Sequence, residues 1–249
     1  MLVTMEKEAL FKFYGPLRDF YPLNRKPDWG TYRFTGSPAV KDAVEALGVP
    51  HPEVGAILLN GMSVRFKEPL TPGACVEVFA HAEAPPGTEP LLPAVAPPGL
   101  PVFVVDVHLG TLARALRLLG FDTVYAQEMP DAAIAAVAER EERVVLTRDV
   151  GLLKHRKVQW GYWLRSQHTR PQLEEVIRRY DLKPWFQPFT RCTVCNGTLT
   201  EVPKEAVQER LPPKTKLYFH EFFQCASCRR VYWKGSHYDR MRTFLGQLE

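Results

Sequence analysis

Seven of the chain's 22 prolines fall between Pro85 and Pro101. No helix or strand interior tolerates that density, because proline lacks the N–H that both ladders need. AEAPPGTEPLLPAVAPPGLP is therefore read as an extended, semi-rigid connector. A break there in a chain of 249 residues leaves two parts, each long enough for a core of its own. The parts also differ in charge. Residues 1–100 hold 9 Lys/Arg against 11 Asp/Glu, 101–150 hold 5 against 8, 151–191 hold 9 against 3, and 192–249 hold 9 against 6. An acidic stretch followed by a basic flank suits an enzyme that holds metal ions and grips a polyanion; charge scattered over solvated faces is the bland alternative. With 45% hydrophobic residues, wholesale disorder is excluded. No apolar run approaches the ~20 residues of a membrane span. The opening MLVTMEKEAL lacks the apolar core of a secretory signal, so a cytoplasmic protein without a membrane partner is expected.

Ahead of the connector, ALFKFYG and TYRF read as strands, and SPAVKDAVEALG reads as a helix with Ser37 at the N-cap, Pro38 at the first position and Gly48 past its end. An Asn60-Gly61 turn joins the apolar run Val54 to Leu59 to Met62 through Phe66, and a closing strand covers Ala74 to Phe79. Cys75 in that strand reads as a buried small residue. Over residues 8–82 this order resembles a β-grasp, ubiquitin-like domain of the small prokaryotic kind. Its last strand runs into Phe79-Ala80-His81 without a Gly-Gly tail. The resemblance thus implies a docking role, with a protein or RNA partner, and not a conjugated tag.

Beyond the connector, taken as residues 83–101, the pattern changes. VFVVD, LARALRLLG, TVYA, AAIAAVAER, RVVLT, GLLK, VQWGYWL and PQLEEVIRRY alternate strand with helix through residue 188, which predicts an α/β class with a parallel sheet and flanking helices. An open sheet of this kind binds ligands beyond the carboxyl ends of its strands. Asp106 ends Val102 to Val105, and Asp149 follows Val144 to Arg148. A pair of carboxylates can hold Mg²⁺ or Mn²⁺ while phosphate oxygens fill the open positions. Each Asp equally suits a turn or a helix N-cap. Asp131, which opens AAIAAVAER, is preferred as a third acid over the neighbouring Glu128, and it too suits a plain N-cap. His108 and Arg114 either face the same cleft or lie on the outer face of a helix.

Arg148, Lys154, Arg156 and Lys157 surround and follow the acidic site, with Trp160, Tyr162 and Trp163 close behind. Cations interleaved with aromatics grip phosphates and stack unpaired bases; Trp160 and Tyr162 also suit alternation into a sheet face. Cys192-x-x-Cys195 and Cys225-x-x-Cys228 make two knuckles able to present four thiolates to a tetrahedral Zn²⁺. The 29 residues between them exceed the usual spacing, so an insertion containing KEAVQER and Leu211-Pro212-Pro213 is expected between hairpins. A thioredoxin-like redox role is disfavoured, since neither pair sits at a strand-to-helix turn. Arg229, Arg230, Tyr232, Trp233, Lys234, His237, Tyr238 and Arg240 then form a basic and aromatic group, which either contacts RNA or covers the ribbon.

The runs FVVDVHLGTLARALRLLGFDTVYAQ and RVVLTRDVGLLK, continuing through GYWLRS and PFTRCTVCNGTL to VYWKGSHYDRM, resemble the PIN-like ribonuclease family named for the C-terminal domain of the Mut-seven exonuclease. A ubiquitin-like domain often precedes this nuclease in bacterial members. The resemblance implies a PIN-like nuclease domain over 102–188, a zinc ribbon over 189–249, and a metal-dependent RNase with acids equivalent to Asp106 and Asp149 at its centre. The expected function is hydrolysis of RNA phosphodiesters by Asp106, Asp131 and Asp149 with Mg²⁺ or Mn²⁺, the RNA being held by Arg114, Arg148, Lys154, Arg156 and Lys157. Two alternatives stand beside it. One is a non-catalytic RNA-binding or adaptor protein that works through the ribbon and the β-grasp module. The other is a phosphatase or small-nucleotide hydrolase. RNA class, endo- or exonucleolytic action and oligomeric state are not fixed by these residues.

Overall fold

A computed structural model describes residues 6–20, 28–91 and 95–246. The first five residues of the opening segment and residues 92–94 of the connector lie outside it. The chain divides into two compact units, one comprising 1–98 with 135–163 and the other 99–134 with 164–249.

The first unit begins with β1 (Lys7–Phe13), β2 (Gly30–Phe34), α1 (Val40–Ala46), β3 (Val54–Leu59), β4 (Met62–Ser63) and β5 (Cys75–Ala80). They build a five-stranded sheet in the order β2-β1-β5-β3-β4, in which β1 and β5 run parallel and the outer pairs are antiparallel. Val40, Ala43 and Val44 recur at helical spacing, and α1 buries them in one core with Phe11, Ile57 and Val76. Asn60 and Gly61 have φ of 51° and 81°, the pair of positive values that a two-residue hairpin turn needs. Gly48, at φ +109°, follows α1 as expected. The cap at the other end differs. Ala39, not Ser37, is the N-cap, because Ala39 bridges Pro69 and the N–H groups of Val40 and Lys41 bond to Glu68 O and Phe66 O. The 66–69 segment thus satisfies donors that a serine cap would serve, and holds Ser37-Pro38 outside the helix. Cys75 is half-buried.

Past the connector come β6 (Phe103–Val105), α2 (Gly110–Leu118), β7 (Thr123–Val124), α3 (Asp131–Glu141), β8 (Val144–Thr147), α4 (Val150–Leu153), β9 (Gly161–Trp163) and α5 (Thr169–Arg179). The expected alternation is observed, and so is the parallel sheet: β6 pairs with β7, and β8 with β9, both in parallel. Every residue of β6 and β8 is buried, the continuous apolar run of a strand covered on both faces. Within the first unit, β9 and the residues between α4 and β9 pack beside the β-grasp residues. Glu53, almost fully buried, accepts from the Trp163 N–H at 2.7 Å, and the Lys154 ammonium donates to Glu45 O at 2.6 Å. His51 Nδ1 lies 2.6 Å from Glu45 Oε1 and its Nε2 lies 2.8 Å from Val158 O, while the Phe20 and Trp163 rings meet at 5.0 Å. Burial opposes ionisation of Glu45, but the bond and charge of His51 outweigh it and hold the carboxyl below its ordinary value.

The second unit closes with β10 (Leu199–Val202), α6 (Pro213–Tyr218), β11 (Phe222–Cys225), β12 (Val231–Trp233) and α7 (Ser236–Gly246). β10, β11 and β12 form an antiparallel three-stranded sheet. The insertion expected between the knuckles is two short 3-10 turns followed by α6. Val207 and Leu211 from it bury against Phe222. Among the described residues, no helix is long and apolar enough to cross a membrane.

Candidate functional site

Asp106 sits where β6 stops, with its side chain only 10% exposed, and it caps the turn that follows. Its Oδ1 accepts from the His108 N–H and lies 3.1 Å from His108 Nδ1. Asp149 stands at the matching place after β8. It accepts from the Gly151 N–H at 2.7 Å as the N-cap of α4, and its own N–H donates to Thr147 Oγ1. Both acids therefore perform the capping that their sequence positions also suited, and capping holds each carboxylate at the N-terminal end of the turn that follows its strand. Asp131 is exposed as the first residue of α3, and Glu128 is exposed just ahead of it.

The basic residues fall into two groups. Arg114 on α2 and Arg156 after α4 are exposed. Lys154 is tied to Glu45 O, and Lys157 pairs with Glu139 at 2.9 Å. Arg148 is half-buried, and its carbonyl accepts from the Trp163 indole at 3.1 Å. Trp160 is buried, so its ring is part of the core rather than a platform for bases.

The four cysteines are the part of the expected site that the fold brings together most closely. Their sulfurs all lie within 4.8 Å of one another. Cys195 Sγ is 3.4 Å from Cys225 Sγ, and Cys192 Sγ is 3.7 Å from Cys228 Sγ. A tetrahedron with Zn–S bonds of about 2.3 Å has edges of about 3.8 Å, whereas a disulfide needs about 2.05 Å, so the spacing suits a four-thiolate metal site. The knuckles share a pattern of two backbone hydrogen bonds. Asn196 N donates to Cys192 O and Arg229 N to Cys225 O; Cys192 N donates to Gly197 O and Cys225 N to Arg230 O. Asn196 and Arg229 both take positive φ, at 72° and 63°, which turns the chain back after each second cysteine. Gly197 leaves room for the partner knuckle, since a Cβ there would stand 2.8 Å from Cys225 Sγ. Burial resists ionisation of Cys192, but the Tyr232 hydroxyl at 3.0 Å and the N–H groups of Cys195 and Val194 overcome it and hold the thiol at about 6. Cys228 is pushed up to about 12, by burial first and then by bonds to the neighbouring thiols.

Arg117, which was not among the expected site residues, anchors this centre. It is 3% exposed, and its guanidinium donates to Thr123 O at 2.9 Å, to Val194 O at 2.9 Å and to Thr193 O at 3.3 Å. Burial lowers its pKa, and the charges of Cys192, Cys195 and Asp122 raise it. Asn196 reinforces the joint: its side chain accepts from the Thr123 N–H and donates to Asp122 Oδ1. One signal was available. Arg117 follows Leu116 and lies four residues after Ala113, on the apolar side of α2. The side chains of His237 and Arg240, expected in the basic and aromatic group, lie outside the described ones.

Two family models match the chain. Residues 101–245 match the Mut7-C RNAse domain, and residues 6–85 match the Mut7-C ubiquitin domain. No curated protein and no solved structure matches it.

Proposed function

Because the chain belongs to the Mut7-C RNase domain family, we propose that it is a metal-dependent ribonuclease. The observation that supports this most directly is that Asp106 and Asp149 each end a buried strand within the matched region and carry the carboxylate on into the following turn. Oxygen donors of this type suit Mg²⁺ or Mn²⁺, which would supply electrophilic activation of the phosphodiester and of water. The chain's own residues do the rest. Asp106 and Asp149 furnish negative charge after their strands, and Asp131 does so from the start of α3. His108, with Nδ1 on Asp106 and an exposed ring, is placed to take or give a proton at Nε2. Arg114 and Arg156 bear on phosphates from exposed positions, joined by Arg148. Lys154 and Lys157 add to the grip only by exchanging Glu45 O and Glu139 for phosphate oxygens. Zn²⁺ in the four-cysteine site is structural, because four thiolates leave no position for substrate.

The test is cleavage of single-stranded RNA with Mn²⁺ by Asp106→Asn and Asp149→Asn. Asparagine caps a helix nearly as well as aspartate, so circular dichroism and zinc content should be unchanged. Rates should fall by orders of magnitude. Full Mn²⁺-dependent activity in both variants would remove the assignment.

A further inference from the structure

The zinc ribbon carries a cavity of about 360 Å³ that no part of the proposed chemistry uses. Its walls are the rings of Phe189, Trp233 and Tyr238 with Met241, and Glu201 and Lys234 stand at its polar edge. The Phe189 and Tyr238 rings lie 4.4 Å apart at 36°. We infer that this cleft takes an unpaired nucleobase of RNA, stacked on those rings, with Lys234 toward the adjoining phosphate and Glu201 toward the base edge. The inference rests on RNA being the substrate, and assigns the ribbon a share in holding it.

Three observations carry it. First, the volume is near the lower end of the range for small-ligand sites, roughly 300–1,000 Å³, which suits a base with its sugar. Flat aromatic walls with a few polar groups at one side are what a nucleobase needs, since every base has a π face and a polar edge. Second, Phe189 is held at φ 65°, a conformation that a bulky residue avoids. Its N–H bonds to Leu118 O, and the neighbouring Gln187 N–H bonds to Leu119 O. The backbone is thus fixed to the end of α2 in a strained form that presents the ring to the cleft, and such strain persists where function uses it. Third, the charge fits. Residues 192–249 hold nine Lys/Arg against six Asp/Glu, and the Lys234 ammonium is held by an exposed pair with Glu221, the kind that a phosphate displaces easily.

The experiment uses the full-length, zinc-loaded protein without added Mg²⁺ or Mn²⁺, and a fluorescein-labelled pentaribonucleotide carrying one 4-thiouridine. Anisotropy gives the affinity, and irradiation followed by peptide mapping gives the contact. Phe189→Gly removes the ring and relieves the left-handed strain, so it should fold at least as well as the parent. Tyr238→Ala removes the ring from α7 that packs beside Phe189. Each should weaken binding about tenfold or more, the scale of one lost base stack, and the parent should crosslink within 189–241. Unchanged affinity in both variants, or crosslinks confined to other parts of the chain, would overturn the proposal. The nuclease reading fails separately. RNA bound in this cleft by a protein that cuts no RNA would sink the nuclease and leave the cleft; cutting by a parent whose binding neither variant affects would do the reverse.

Discussion

At the scale of single residues, Arg117 shows how a charge becomes structural. Taking a guanidinium out of water costs several kcal/mol unless its donors are met, and three backbone carbonyls meet them. Four thiolates around a divalent ion would carry a net charge of −2, and Arg117 is placed to offset part of it. Arg117→Met should therefore lower stability by about 2–4 kcal/mol, because it leaves Thr123 O and Val194 O without their donor and removes the balancing charge. Arg117→Lys should rescue little, since an ammonium cannot reproduce a planar fork that reaches two segments at once. Denaturant titration of the three proteins checks this. A lysine variant as stable as the parent would show that charge alone matters. The four cysteines were readable as one cluster because their residue type and local spacing announce it. Arg117 was not, since one cation on an amphipathic helix looks like any other until its partners are seen.

At the scale of elements, the two knuckles are short loops whose own hydrogen bonds fix each pair of thiolates, while β10, β11 and β12 bring the pairs face to face. The apolar support is small: Val207, Leu211 and Phe222 are its fully buried members. A ribbon with so little core depends on its metal, and structural zinc contributes on the order of 10 kcal/mol to such modules. Cys192→Ser should release zinc and open residues 190–240, whereas β6, α2 and α5 persist. Hydrogen exchange with elemental analysis reads both at once. Protected ribbon amides in zinc-free protein would contradict it. The insertion was legible as an interruption in cysteine spacing, but its 3-10 turns and α6 were not, because Pro-rich, charged stretches of this length have no dominant periodicity. The shift of the α1 cap from Ser37 to Ala39 has the same origin. The sequence offered a good capping residue, and the 66–69 segment offered a better set of partners.

At the scale of the whole molecule, a connector of this composition predicts that residues 100–249 fold without the first module. The bonds from Glu53 to Trp163, from His51 to Val158 and from Lys154 to Glu45 weigh against it, because removing residues 1–99 exposes the β9 N–H and one side of Trp163. The 100–249 fragment should keep its zinc and melt at a lower temperature than the full chain. Addition of separately made 1–98 should restore part of the difference. A fragment as stable as the full protein would mean that those bonds contribute nothing net.

Local pattern determined the class of each element, the α/β alternation, the hairpin at Asn60-Gly61 and the two Cys-x-x-Cys knuckles. Backbone periodicity and short-range chemistry act within a few residues, so the sequence carries them directly. Tertiary structure decided what each buried face meets: Arg117 with a knuckle 76 and 77 residues away, and Glu53 with a strand 110 residues away. Periodicity says which side of an element leaves water but is silent on what replaces the water, and a buried polar group finds its partner only once the chain has closed around it.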